Sequence, residues 1–120
     1  MNAATGAIMN VSRQKEIAGC VRVADTFWTR LKGLLGTQSL PDGTALIIRP
    51  CNSVHTFGMK YPLDVLFVSK GGRVRKVAEN LLPGRLAWDW GAAWVIELPA
   101  GTAAATATAC GDQLDWLREK

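Results

Sequence analysis

A chain of 120 residues with 48% apolar and 20% charged side chains is long enough to bury one core, and its composition excludes a disordered polymer. It contains no apolar run near the roughly 18 residues of a membrane-spanning helix. A net charge of +4 and a pI of about 9.3 permit attraction to nucleic acid or anionic surfaces but do not demand it.

Residues 1–14 carry many small side chains and read as a flexible N-terminal arm, with 15–120 as a single β-rich domain. Met1 to Asn10 has no basic stretch leading into a long apolar one, so no secretory leader is expected. Cys20 to Ala24 alternates small or apolar residues with polar ones, as a strand does. One helix follows, capped by Asp25 or Thr26, with Phe27, Leu31, Leu34 and Leu35 on one face and Gly36 as its stop. Gly33 costs that helix roughly 1 kcal/mol relative to alanine, but would allow close approach to a sheet.

Pro41-Asp42-Gly43 is a turn, and Ala45 to Ile48 a strand. Leu63 to Val68 is apolar on both faces, with Leu63, Val65 and Phe67 opposite Leu66 and Val68. Lys70-Gly71-Gly72-Arg73 reads as a hairpin turn and Arg73 to Ala78 as the partner strand. Ala92 to Leu98 is again two-sided, with Trp94, Ile96 and Leu98 opposite Val95, and Pro99-Ala100-Gly101 ends it. Thr102 to Ala109 suits either a helical turn or a strand. After a turn at Gly111-Asp112, Gln113 to Leu117 is the last strand. The expected fold is mainly β, a small barrel or sandwich with one helix laid across it.

Chemistry concentrates in the run from His55 to Val68, where the only histidine, Met59 and Asp64 crowd against an apolar strand. Asp64 shares a strand face with Leu66 and Val68, and Glu97 shares one with Val95. A buried carboxylate costs several kcal/mol unless it accepts hydrogen bonds or meets a cation. Arg30, His55, Thr56, Lys60 and backbone N–H groups are the partners in view. Three readings stand open: each acid ties down a loop, both face one cleft with the imidazole as general acid and base or as ligand anchors, or each is exposed at a sheet edge.

Cys51, His55 and Met59 have the spacing of a copper loop, but a blue-copper site needs two imidazoles and the chain has one. Cys51 follows Pro50 in a loop with no helix start to lower its pKa, which argues against a thiol nucleophile. Zinc-ligand pairs and a phosphate-binding glycine loop are missing, so neither metal nor cofactor is expected. Three widely spaced cysteines without a CxxC pair point to reduced thiols and a cytoplasmic location. Among five tryptophans, Trp88-Asp89-Trp90 reads as a lid over the open end of the fold, as a stacking surface beside Arg85 or as a protein interface, and Trp94 as core.

Arg30-Leu31-Lys32-Gly33-Leu34-Leu35-Gly36, His55-Thr56-Phe57-Gly58-Met59, Pro62-Leu63-Asp64-Val65-Leu66-Phe67, Glu97-Leu98-Pro99-Ala100-Gly101 and Gly111-Asp112 follow in that order. Together they resemble a family of small bacterial and archaeal domains of unknown function, numbered one hundred and ninety-two, over about residues 15–118. The resemblance implies a compact, jelly-roll-like β-fold with one short α-helix near the N-terminal third and no established activity. It also implies signature polar positions at Arg30, Thr56, Asp64, Glu97 and Asp112. Phe57-Gly58-Met59-Lys60 stands where many members carry Trp-Met-Lys-Asn and a leader, so the chain resembles the cytoplasmic branch.

The expected function is a non-enzymatic module that binds a small molecule or acts as an accessory to a protein. Its site would draw on Arg30, His55, Thr56, Met59, Asp64, Trp88, Glu97 and Asp112. A hydrolase-like enzyme using Asp64 or Glu97 with His55 is the alternative. A single-stranded nucleic-acid binder using Arg73, Arg75, Lys76 and exposed tryptophans is another.

Overall fold

The computed structural model describes residues 6–24 and 40–117. Among them are ten strands: β1 (Ala7–Asn10), β2 (Lys15–Ala18), β3 (Cys20–Ala24), β4 (Thr44–Ile48), β5 (Ser53–His55), β6 (Leu63–Val68), β7 (Val74–Leu81), β8 (Leu86–Trp88), β9 (Trp94–Pro99) and β10 (Leu114–Leu117). One short helix, α1 (Thr102–Ala105), joins β9 to β10. The helix expected between Asp25 and Gly36, with Arg30 and Trp28, lies outside the described residues.

A five-stranded sheet of order β3-β4-β9-β6-β7 forms the middle layer; β3 and β4 run parallel and the other pairs antiparallel. A three-stranded sheet, β10-β1-β2, covers one face, and the two-stranded ribbon β5-β8 covers the other. The arrangement is sandwich-like, and the sheets do not close into a barrel. Strands buried on both sides must be apolar on both sides, which is why β6 and β9 read as continuous hydrophobic runs. Leu66, Val68, Ile96 and Leu98 pack with Ile8, Ile17 and Leu114 on one face. Leu63, Val65, Phe67 and Val95 pack with Val54, Met59 and Ala87 on the other. Each such side chain stabilises the fold by roughly 1.5–3 kcal/mol through burial.

The structure departs from the sequence reading in two places and decides a third. Residues 7–10, taken above as part of an arm, form the central strand of the three-stranded sheet, with Ile8 and Asn10 fully buried. Ile8 gains its core from β2, from the middle sheet and from β10 at the far end of the chain. Trp88 belongs to β8 and pairs with Ser53 rather than standing in an open loop. The ambiguous stretch Thr102 to Ala109 is one helical turn followed by coil. The turns at Pro41-Asp42-Gly43 and Lys70-Gly71-Gly72 are where the glycine pattern puts them; Gly43 and Gly72 both adopt positive φ.

Candidate functional site

Three of the expected site residues, Asp64, Thr56 and Asp112, are buried and hydrogen-bonded to backbone groups. Asp64 is buried in β6 and spends its carboxylate on backbone donors. The Asn80 N–H reaches Oδ1 at 2.8 Å, and the N–H groups of Gly101 and Ala103 reach Oδ2 at 3.1 and 2.9 Å. The first donor is freed by a bulge: Leu63 faces Leu81 while Val65 faces Ala78, so β7 carries one extra residue opposite Asp64. The other two open α1, whose preceding residue Gly101 offers no side-chain cap.

Thr56 is also fully buried. Its hydroxyl donates to the Leu82 carbonyl at 2.6 Å and accepts from the Arg85 N–H at 2.9 Å. Its carbonyl accepts from Met59 and Gly84. Thr56 therefore clasps the 82–85 turn onto the His55 loop.

Asp112 accepts through Oδ2 from Asn10 Nδ2 at 3.0 Å, Arg13 Nε at 3.1 Å and the Ala109 N–H at 2.9 Å. Burial works against its charge, but the hydrogen bonds from Asn10, Ala109 and Arg13 prevail and hold the carboxyl below the usual range. Asn10 also donates to Thr108 Oγ1 at 3.1 Å, tying β1 to the segment before β10. Asn10 and Thr108 were invisible as partners in the sequence, because only folding brings the chain ends together.

Arg30 lies outside the described residues, and His55, Met59, Trp88 and Glu97 sit on the β5-β8 side without forming one cluster. Glu97 is fully buried on β9 between Leu46 of β4 and Val65 of β6, so it faces the ribbon side of the sheet. Asp64 pairs with Leu98 and leaves by the other face. The two acids do not share a hollow. Met59 is packed into the core beneath the ribbon. In the ribbon, Val54 and Ala87 point inward, so alternation puts His55 and Leu86, with Ser53 and Trp88, on its other face. The His55 ring stacks on Phe57 with centroids 5.2 Å apart. Trp88 and Trp90 are exposed, 6.4 Å apart, and Lys76 Nζ lies 5.8 Å over the Trp88 ring. Arg75 grips Asp89 between them at 3.0 and 3.2 Å, and that hydrogen bond holds the Asp89 carboxyl below the ordinary range.

A hollow among the described residues lies elsewhere. At one end of the sandwich, where β4 and β6 finish and β9 begins, β10 stands off to leave an open groove of about 660 Å³. Arg49 and Pro50, Lys70 to Gly72 of the β6–β7 turn, Trp94, and Leu114 to Trp116 line it. The Arg49 guanidinium carbon lies 4.9 Å from the Trp116 ring centroid. The Trp94 indole donates to the Ser69 carbonyl at 2.8 Å, fixing the ring against the turn. Lys70 and Asp115 are exposed at its rim. Sequence reasoning missed this site and took Trp94 for core alone. Its walls come from four segments that no spacing connects; the one hint was a pair of tryptophans starting β9 and closing β10.

Comparison with known proteins agrees with the fold and the motif order. The family model described as "Uncharacterized ACR", DUF192, matches residues 8–116. A UPF0127 protein of Thermococcus sibiricus is 30% identical over 94% of this chain and 76% of its own length. One from Pyrococcus furiosus is 31% identical over 92% of this chain and 98% of its own. Two crystal structures share the fold. A Sinorhizobium meliloti protein described as a candidate transcription regulator has a TM-score of 0.79 and 22% identity, over 94% of this chain and 92% of that one. A protein of unknown function from Novosphingobium aromaticivorans has a TM-score of 0.74 and 24% identity, over 93% and 84%. With β2 to β9 and most of β1 and β10 inside the matched span and Thr56, Asp64, Glu97 and Asp112 each buried, this chain belongs to the DUF192 family of uncharacterised proteins.

Proposed function

We propose that this chain is a non-enzymatic binding module that takes a small ligand in the groove at the end of the sandwich. The observation that carries this reading is the convergence of two indoles and two cationic side chains on one concavity. Its volume is that of a small-molecule site, and it combines apolar walls with a few polar groups that fix orientation. In this reading Thr56, Asp64 and Asp112 hold the scaffold, with His55, Met59 and Glu97 on the ribbon side away from the ligand. The acid–base alternative is less favoured for Asp64, which is engaged by three backbone donors and leaves the sheet by the face opposite to Glu97. Calorimetric titration of the purified protein with a panel of small metabolites tests the module. Saturable binding that Trp116→Ala weakens supports it; unchanged affinity in that variant sinks it.

A second reading has its own observation. Lys76 above the exposed Trp88, with Trp90 beside it, resembles a stacking platform for single-stranded nucleic acid. Arg75 is committed to Asp89, Arg73 donates to the Gly111 carbonyl at 2.6 Å, and Lys76 donates to the Trp88 carbonyl at 3.0 Å, which holds its charge against the Trp88 ring. Oligonucleotide binding that falls steeply with salt and is lost in Trp88→Ala would favour this reading over the first. The proposed location is the cytoplasm, supported by three widely spaced cysteines with no CxxC pair in the sequence. Among the described residues no helix is long and apolar enough to cross a membrane.

A further inference from the structure

We infer that the outer face of the β5-β8 ribbon is a peripheral membrane contact that takes the surface of an anionic lipid bilayer. None of its residues lines the groove at the end of the sandwich. Seven large apolar side chains are exposed among the described residues, and five of them are Phe57, Leu82, Leu86, Trp88 and Trp90. Hydrogen bonds bring these five together. The carbonyl of Thr56 accepts from the N–H groups of Met59 and Gly84, which lays the turn carrying Phe57 beside the turn that follows Leu82. Leu86 and Trp88 are two residues apart on one face of β8, and the Trp90 ring stands 6.4 Å from that of Trp88. A continuous apolar strip held in water marks a surface that meets an apolar partner.

The strip is held out by its backbone. Arg75 grips the Asp89 carboxylate, which also accepts from the Gly91 N–H at 3.1 Å, while the Asp89 N–H donates to the Asn52 carbonyl at 2.9 Å. A Cβ at Gly91 would strike the Arg75 guanidinium, so the clamp needs glycine there. Trp90, 73% exposed, rides on that clamp, and its presentation costs little further ordering on binding.

Charge names the partner. Lys60 and Arg85 flank the two turns, exposed and outside any ion pair among the described residues. Lys76 lies over the Trp88 ring. Asp89 is neutralised by Arg75, which leaves the exposed Glu79 of β7 against these three cations. A second copy docking here across a two-fold axis would set like charges against one another. An anionic lipid surface attracts them. Single-stranded nucleic acid is anionic too, but Leu82 and Leu86 have no ring face on which a base could stack. Leucines and tryptophans rimmed by lysine and arginine suit the boundary between lipid headgroups and acyl chains.

Cosedimentation of the full chain with lipid vesicles is the test. The probes are vesicles of phosphatidylcholine alone, vesicles of phosphatidylcholine with an equal share of phosphatidylglycerol, and a single-stranded oligothymidylate. The protein should bind the phosphatidylglycerol vesicles about tenfold or more tightly than the neutral ones. Leu86→Gln and Trp90→Gln change exposed side chains that the core does not use, and each should weaken that binding about tenfold. Arg85→Gln should weaken it about fivefold, on the anionic vesicles alone. Equal binding to both kinds of vesicle overturns the anionic preference. Vesicle binding that Leu86→Gln and Trp90→Gln leave unchanged overturns the assignment to this ribbon. No vesicle binding overturns the proposal outright. Oligothymidylate bound in place of vesicles gives the surface to nucleic acid, and a dimer that Leu86→Gln returns to monomers gives it to a second copy.

Discussion

Asp64 and Glu97 stand one register step apart on neighbouring strands, and their carboxylates leave opposite faces of the same sheet. Asp64 lies across from Leu98, and Glu97 across from Val65. The sheet itself separates the acids, so chemistry needing two carboxylates in one cavity has no place to occur between them. What Asp64 does instead is supply an acceptor for three buried or half-buried N–H groups from β7 and α1.

Replacing Asp64 by alanine should therefore destabilise the fold by roughly 3–5 kcal/mol, since each buried donor left without an acceptor costs about 1–3 kcal/mol. Asp64→Asn should lose less, because Oδ1 can still serve Asn80 while the new amide faces Gly101 and Ala103 donor to donor. Urea unfolding measures both. Equal, near-zero losses would show that the carboxylate is not the brace described here. Groove binding should persist in Asp64→Asn, as Trp94 sits at the other end of β9 from Leu98.

How much of this was legible in the chain follows from where the information lay. β6 and β9 were legible because a strand buried on both faces leaves an unbroken apolar run. Alternation also assigned Asp64 to the Leu66 face and Glu97 to the Val95 face. What it lacked was the register between β6 and β9, which alone decides whether those faces are the same. β1 was not legible, since its four residues carry one strongly apolar side chain, and the buried Asn10 looks like a surface residue until Asp112 arrives from the far terminus. The groove was hidden for the same reason: Arg49, Lys70, Trp94 and Trp116 meet only in three dimensions.

The Asp112 knot predicts an acid-labile terminus. Folding lowers the Asp112 pKa, so its contribution is complete above the ordinary carboxylate range of about 4 and drains away as the pH falls through the lower folded value. The urea midpoint of the wild type should drop between about pH 7 and about pH 3, and that of Asp112→Asn should start lower and drop less. Parallel pH profiles for the two proteins would mean that other carboxylates dominate acid unfolding.

Thr56 gives a sharper test of a single hydroxyl. Thr56→Val preserves shape, but removes the acceptor of the Arg85 N–H and the donor to the Leu82 carbonyl. The expected cost is about 1–3 kcal/mol. Hydrogen exchange at Arg85 should accelerate far more than exchange in β6, because the loss is confined to the 82–85 turn. Protection unchanged at Arg85 would contradict the clasp.

The last prediction concerns how the three-stranded sheet is held to the middle one. The β6–β7 turn meets β10 through the Gly72 and Leu114 backbones, and Arg73 bridges to Gln113 next to it. At Gly72 a methyl group would strike the Leu114 carbonyl, and φ +93° is strained for any other residue. Gly71, its neighbour, has nothing within 4 Å of a Cβ. Gly72→Ala should therefore cost about 2–4 kcal/mol and loosen the groove by displacing Lys70 and Trp116, whereas Gly71→Ala should stay within about 0.5 kcal/mol of wild type. Denaturant unfolding of the pair isolates backbone contact from composition, since both variants make the same chemical change one residue apart. If they behave alike, the close approach of turn and strand is not what joins the two sheets.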